Sequence, residues 1–259
     1  MLRRNVAILP PEQPAEIQQP KITSFVEGVV KRPGIIAFVI DVSGSMDGTK
    51  LDQAKLGLIG ALNMSADNLV GMISFSDQIV DMSAVAPLAQ NLQLLTEKVG
   101  RMSANGTTAL YDAIKAGIEM TDSAAGGEAD IPAVVVLTDG QANAGETRLD
   151  DIVKMTDREG GAISQYSGFK NDIADSQGRY IDRENIKGTG LAMPTKHPAQ
   201  IFFIGIGDDA DMEIGRILAE ATGAESEKGV ELQGGTVVRR VRKVREVDIA
   251  SVLEEFKYF

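Results

Sequence analysis

Cysteine is absent from this chain of 259 residues, which removes disulfides, thiolate metal ligands and any cysteine nucleophile at once. Histidine is nearly absent: a lone His197 cannot build a zinc site, and no G-x-S-x-G turn accompanies it to suggest serine hydrolysis. Basic charge is in deficit. With 26 Lys and Arg against 37 Asp and Glu, the formal net charge is −11, which excludes nucleic acid as the main partner because phosphate binding needs a basic footprint. The same balance suits a protein that holds a cation. Long apolar runs are missing too, so no transmembrane segment is expected, and the apolar part of Met1 to Pro10 is too short for a secretion signal. On the sequence as given the expected location is cytoplasmic, with an extracytoplasmic one as the alternative if a signal or anchor has been removed. There is no P-loop, and Gly205-Ile-Gly207-Asp-Asp-Ala210 opens an acidic turn that would repel a pyrophosphate.

What is present points to one α/β domain. At 43% hydrophobic the chain can bury a substantial core. Residues 1–33 hold five of the nine prolines and read as an extended lead-in, with a short edge strand within Ile22 to Val30; residues 34–259 read as the domain. Ile35 to Ile40, Leu69 to Phe75, Val134 to Leu137 and Ile201 to Ile206 are apolar without alternation, as strands buried on both faces are. Between them, apolar residues at helical spacing predict helices over 49–66, 88–102, 109–120, from 149, and over 212–222. The run Ile79 to Ser83 is more polar and follows Leu69 to Phe75 after three residues, so the pair predicts a hairpin with an antiparallel edge strand. Strands alternating with helices predict a doubly wound, mostly parallel sheet with helices on both faces, whose ligands bind outside the carboxyl ends of the strands.

Three segments carry the chemistry. Asp41-Val-Ser43-Gly-Ser45 follows the first strand and brings three oxygen-bearing side chains at alternate positions, while Asp139 ends the third strong strand in Thr138-Asp139-Gly140, and Asn105-Gly-Thr-Thr108 lies between them. Helix capping would account for one such Asp or Ser at a strand-to-helix turn and leaves the others without cause. Oxygen donors of this kind suit a hard cation such as Mg²⁺, and a site of hydroxyls with few carboxylates leaves the ion under-neutralised. D-x-S-x-S, then G-T, then T-D-G resembles the metal-ion-dependent adhesion site of von Willebrand factor type A domains, over about Pro33 to Phe259.

That resemblance implies a ligand set of Asp41, Ser43, Ser45, Thr107 and Asp139 around Mg²⁺, with Mn²⁺ or Ca²⁺ as alternatives. In the family the serines bind directly, the threonine and aspartates bind directly or through water, and a partner protein's Asp or Glu completes the coordination. Thr107 is favoured over Thr108 because it directly follows Gly106; Thr108 would then cap the next helix. Asp47, Asp112, Asp208 and Asp211 are further carboxylates near strand ends. The function so implied is cation-dependent protein binding, in adhesion or complex assembly, and not catalysis. Two other readings stand beside it: a metal-dependent hydrolase using Asp41 and Asp139, and a scaffold that binds without metal. Such a scaffold would use residues 159–199, a long polar excursion read as an insertion, or the basic stretch Val237 to Arg245, whose valines otherwise suit a strand with one solvated face. The partner's identity and the oligomeric state are not encoded in any recognisable pattern.

Overall fold

The computed structural model describes residues 33–64, 66–127, 130, 132–156, 173–174, 180–181, 199–222, 229–231 and 237–258. The chain divides into two units after Arg32, and the second, Pro33–Phe259, contains the elements below. The expected edge strand within 22–30 and nearly all of the expected insertion at 159–199 lie outside the described residues.

Six strands form the main sheet: β1 (Ile35–Asp41), β2 (Leu69–Phe75), β3 (Ile79–Pro87), β4 (Ala133–Thr138), β7 (Gln200–Ile206) and β10 (Val241–Val244), in the order β10-β7-β4-β1-β2-β3. All neighbours are parallel except β2 and β3, which are antiparallel as the short Ser76-Asp77-Gln78 link requires. Two small hairpin-like pairs stand apart: β5 (Ile173–Ala174) with β6 (Tyr180–Ile181), and β8 (Gly229–Glu231) with β9 (Val237–Arg239). The helices are α1 (Thr49–Ala61), α2 (Leu88–Arg101), α3 (Leu110–Ala124), α4 (Leu149–Thr156), α5 (Met212–Ala221) and α6 (Ile249–Glu254).

Strand β1 shows why both faces need covering. Successive side chains point to opposite sides of a strand. Ile36, Phe38 and Ile40 accordingly enter one apolar cluster with residues of α1, α2 and α6, while Ala37 and Val39 enter a second with residues of α3, α4 and α5. Both are dry. The first cluster is closed by Phe256, whose ring meets Phe38 and Phe202 edge-on at 6.2 and 5.3 Å between centroids. Truncating an aromatic buried this way costs roughly 3–5 kcal/mol. Gly57 lets α1 approach α6 closely, since a Cβ there would lie 2.8 Å from the Ala250 Cα.

β1 lies between β2 and β4, and the chain leaves it toward β2 through α1 but reaches β4 only after returning through α3. The strand order therefore reverses at the carboxyl ends of β1 and β4. Loops diverge there and open a crevice, the general binding place in such sheets. Asp41 is the last residue of β1, and Asp139 directly follows β4.

Candidate metal centre

Register alone brings the two strand ends together. Ile40 pairs with Leu137, so Asp41 and Thr138 are neighbours, and the Thr138 hydroxyl donates to Asp41 Oδ2 at 2.6 Å. The other carboxylate oxygen, Oδ1, accepts the Ser43 amide at 2.8 Å. Asp41 is fully buried. Burial lifts its carboxyl from 3.8 to about 6, against the lowering effect of the Thr138 and Ser43 hydrogen bonds and with a further upward push from the negative charge of Asp139.

The hydroxyls close the distance between the two acids. Ser43 Oγ lies 3.1 Å from Ser45 Oγ, and the Ser45 hydroxyl donates to Asp139 Oδ1 at 2.7 Å. Ser43, Ser45 and Asp139 thus share one hydrogen-bonded group, with Asp41 joined to it through the Ser43 amide. The remaining oxygen of Asp139, Oδ2, accepts the Lys50 ammonium at 2.5 Å, and the same ammonium donates to the Ser45 carbonyl at 3.2 Å.

The loop between α2 and α3 is stitched to both neighbours. Asn105 N donates to Val42 O at 2.8 Å, and Gly44 N donates to Gly106 O at 3.0 Å. Gly106 has φ +80, a conformation that favours glycine. Next in the chain, Thr108 is clamped by Asn143: the Thr108 amide donates to Asn143 Oδ1 at 2.7 Å, while the Asn143 and Ala144 amides donate to Thr108 O at 3.0 and 3.2 Å. Further along, Asp112 accepts the Glu146 and Thr147 amides at 3.1 and 2.8 Å. Burial pushes the Asp112 carboxyl up, but the hydrogen bonds from Thr147 and Glu146 and the nearby Lys115 together hold it below its ordinary value.

The two threonines are placed differently from the sequence expectation. Thr107 is exposed and joins none of these hydrogen bonds. Thr108 is 2% exposed, and its Oγ1 lies 3.3 Å from where a Cβ on Gly140 would sit, beside Asp139. Nor does Thr108 cap the helix, because α3 begins at Leu110 after Ala109, with no side-chain cap. The residue nearer the glycine is thus the exposed one of the two.

The other carboxylates of the region stand outside this group. Asp208 accepts Lys243 at 2.5 Å, Asp211 accepts the Ile214 amide at 3.3 Å, and Asp47 is exposed. Among the described residues no three His, Cys, Asp or Glu side chains come together as a metal-ligating cluster. The donor set is therefore two carboxylates and several hydroxyls. Oxygen-only chemistry with little charge, beside a buried acid pushed up to about 6, fits a hard divalent cation. Lys50 and Asn143 belong to no motif, and Thr138 enters only as the first residue of T-D-G, because each acts on a residue from another segment of the chain.

Over residues 36–229 the chain matches the von Willebrand factor type A domain, well over half its length. The chain belongs to the von Willebrand factor type A family. It is 35% identical over 157 residues to inter-alpha-trypsin inhibitor heavy chain H3 of Homo sapiens, a match covering 57% of this chain and 18% of that protein. The corresponding protein of Bos taurus is 31% identical over 176 residues, covering 64% and 19%. The chain thus spans less than a fifth of the length of these relatives. Among solved structures, a von Willebrand factor type A protein from Catenulispora acidiphila matches with a TM-score of 0.57 at 20% identity, covering 87% of this chain and 42% of that one. The vWF domain of the type V pili tip protein Mfa5 from Porphyromonas gingivalis matches with a TM-score of 0.51 at 14% identity, covering 88% and 95%. At these identities the structural likeness bears on the fold.

Proposed function

We propose that this domain is a divalent-cation-dependent protein-binding module, used in adhesion or complex assembly, and not an enzyme. The observation that carries the reading is the convergence of Ser43, Ser45 and Asp139 into one hydrogen-bonded group at the carboxyl ends of β1 and β4. Ser43 and Ser45 would hold Mg²⁺, or in its place Mn²⁺ or Ca²⁺, through their hydroxyls. Asp41, Asp139 and Thr108 would bind directly or through water, Thr108 taking the place first given to Thr107. When bound, the ion supplies a positive centre held directly by uncharged hydroxyls; with Asp41 and Asp139 reached through water, that charge is offset only in part at close range, and a partner's Asp or Glu finds an open position.

Family membership supports the reading, as does the net charge of −11, which suits a cation site better than a phosphate site. The scaffold reading through the basic stretch loses ground. Lys243 pairs with Asp208, Arg242 with Glu255 and Arg245 with Asp248, so three of its cations are already engaged within the domain. Calorimetric titration of metal-stripped protein with Mg²⁺ and Mn²⁺ tests the proposal. Saturable binding lost in Asp41→Ala supports it; no binding of either ion by the unaltered protein ends it.

A further inference from the structure

Lys50 sits where a lysine gains nothing from its own helix. It lies in the first turn of α1, and a cation there opposes the positive end of the helix dipole. Its position is explained across the crevice instead. The ammonium donates to Asp139 Oδ2 at 2.5 Å and to the Ser45 carbonyl at 3.2 Å, tying the first loop to the third. Asp139 is 2% exposed, so its charge has little water to stabilise it and Lys50 is its counter-ion.

The two oxygens of Asp139 are consequently divided. Oδ1 faces the serine pair, accepting Ser45 Oγ at 2.7 Å, while Oδ2 is held by Lys50. We propose that Lys50 is a positioning residue that selects the cation, by keeping Asp139 to one ligating oxygen and by offsetting part of the negative charge around the site. This rests on the cation-binding reading above. Mg²⁺ demands near-octahedral geometry and takes single carboxylate oxygens, whereas Ca²⁺ accepts six to eight oxygens and often a carboxylate through both. A site whose second acid offers only one oxygen favours the smaller ion. The charge count has a further consequence: two carboxylates less one ammonium leave a bound dication with positive charge to spare for a partner's acid.

The test compares the full chain with Lys50→Met, Lys50→Gln and Lys50→Arg, each metal-stripped and titrated separately with MgCl₂ and CaCl₂ in a calorimeter. Removing the ammonium should tighten Ca²⁺ binding by about tenfold and Mg²⁺ by clearly less, while Lys50→Arg stays within about threefold of the unaltered ratio. The two neutral variants should agree with each other. A second readout needs no ion: metal-free Lys50→Met should melt below the unaltered protein, and adding Asp139→Asn should recover part of the loss, because the uncompensated buried charge is then gone. An unchanged Mg²⁺ to Ca²⁺ ratio in both neutral variants, or an arginine variant that behaves like methionine, overturns the assignment while leaving the cation site intact. Failure of the unaltered protein to bind either ion overturns the cation reading and this inference with it.

Discussion

Two stretches of the chain look equally like places where chemistry is done: the acidic and hydroxyl-bearing loops at the ends of β1 and β4, and the basic run from Val237 to Arg245. In the folded domain they part company. Around the basic run, Arg242, Lys243 and Arg245 each find an acid nearby, Arg240 is buried over the Phe202 ring with a hydrogen bond to Thr222, and Val244 packs into the core as β10 completes the sheet edge. At the other stretch, two acids of the same sign are brought within electrostatic reach, and burial, with a smaller push from the charge of Asp139, lifts Asp41 to about 6. Charges that neutralise one another within the domain are parts of the scaffold. Like charges collected at a crevice leave a demand for something positive, and Lys50 meets only part of it.

The contrast is broken most directly by deleting an acid. Asp41→Ala or Asp139→Ala should weaken Mg²⁺ and Mn²⁺ binding by at least about a hundredfold, read by calorimetry, because a divalent ion would lose one of its two carboxylates. If either variant binds as tightly as the unaltered protein, the acidic loops are no more functional than the basic run.

A pH effect comes next. Because the folded, metal-free protein holds the Asp41 carboxyl at about 6, above its ordinary 3.8, this group's stabilising contribution is fully present below pH 3.8 and is lost as the pH rises through about 6. The difference is on the order of 3 kcal/mol. Urea unfolding of metal-stripped protein at pH 4.5 and pH 7 should therefore show a larger stability advantage at pH 4.5 for the unaltered chain than for Asp41→Asn. Asp112, Glu213, Asp208 and Asp248, all held below their ordinary values, act with the opposite sign and mainly at lower pH, so the comparison of the two proteins isolates Asp41.

The threonines sharpen the picture within the site. Thr108→Val keeps the shape and removes the hydroxyl beside Gly140, and should weaken the cation by about tenfold, whereas Thr107→Val should change it less than about twofold. The reverse ranking would restore Thr107. At the small end, Lys243→Ala and Arg245→Ala should leave cation affinity unchanged and the urea unfolding midpoint scarcely moved, as exposed ion pairs do. A larger loss of partner capture in these two variants, insensitive to chelator, would move the binding surface to the basic edge.

Much of the architecture could be read from residues alone. Apolar runs without alternation marked β1, β2, β4 and β7, since a strand covered on both faces has no reason to alternate, and the more polar Ile79 to Ser83 marked the edge. The final stripe Ile249, Val252, Leu253 and Phe256, spaced as one face of a helix, is buried, although the helix it forms is short and continues as 3₁₀ turns. The first helix ends at Ala61, short of the expected 66, where the Leu62 amide still bonds back to Leu58 and the chain then turns toward β2. Periodicity locates a face but says little about where the last turn loosens.

The meeting of Asp41, Ser43, Ser45 and Asp139 was legible because each sits at or just after a strand end, and a parallel sheet puts those ends side by side. That Thr108 and not Thr107 is the buried one was not legible, since the amide of Thr108 is held by Asn143 from a loop 35 residues away. Lys50 was equally hidden. On a helical wheel it belongs to the solvent face, and only the height of the β4 loop above α1 turns it into the counter-ion of Asp139.

By itself, then, the order of apolar and polar residues determined a doubly wound sheet and the end of it at which oxygen donors would gather, because burial and strand period are local properties. Which hydroxyl faces inward, which acid loses its water and which lysine neutralises it were decided by the tertiary structure, because direction, dielectric and distance between loops exist only after the sheet has closed.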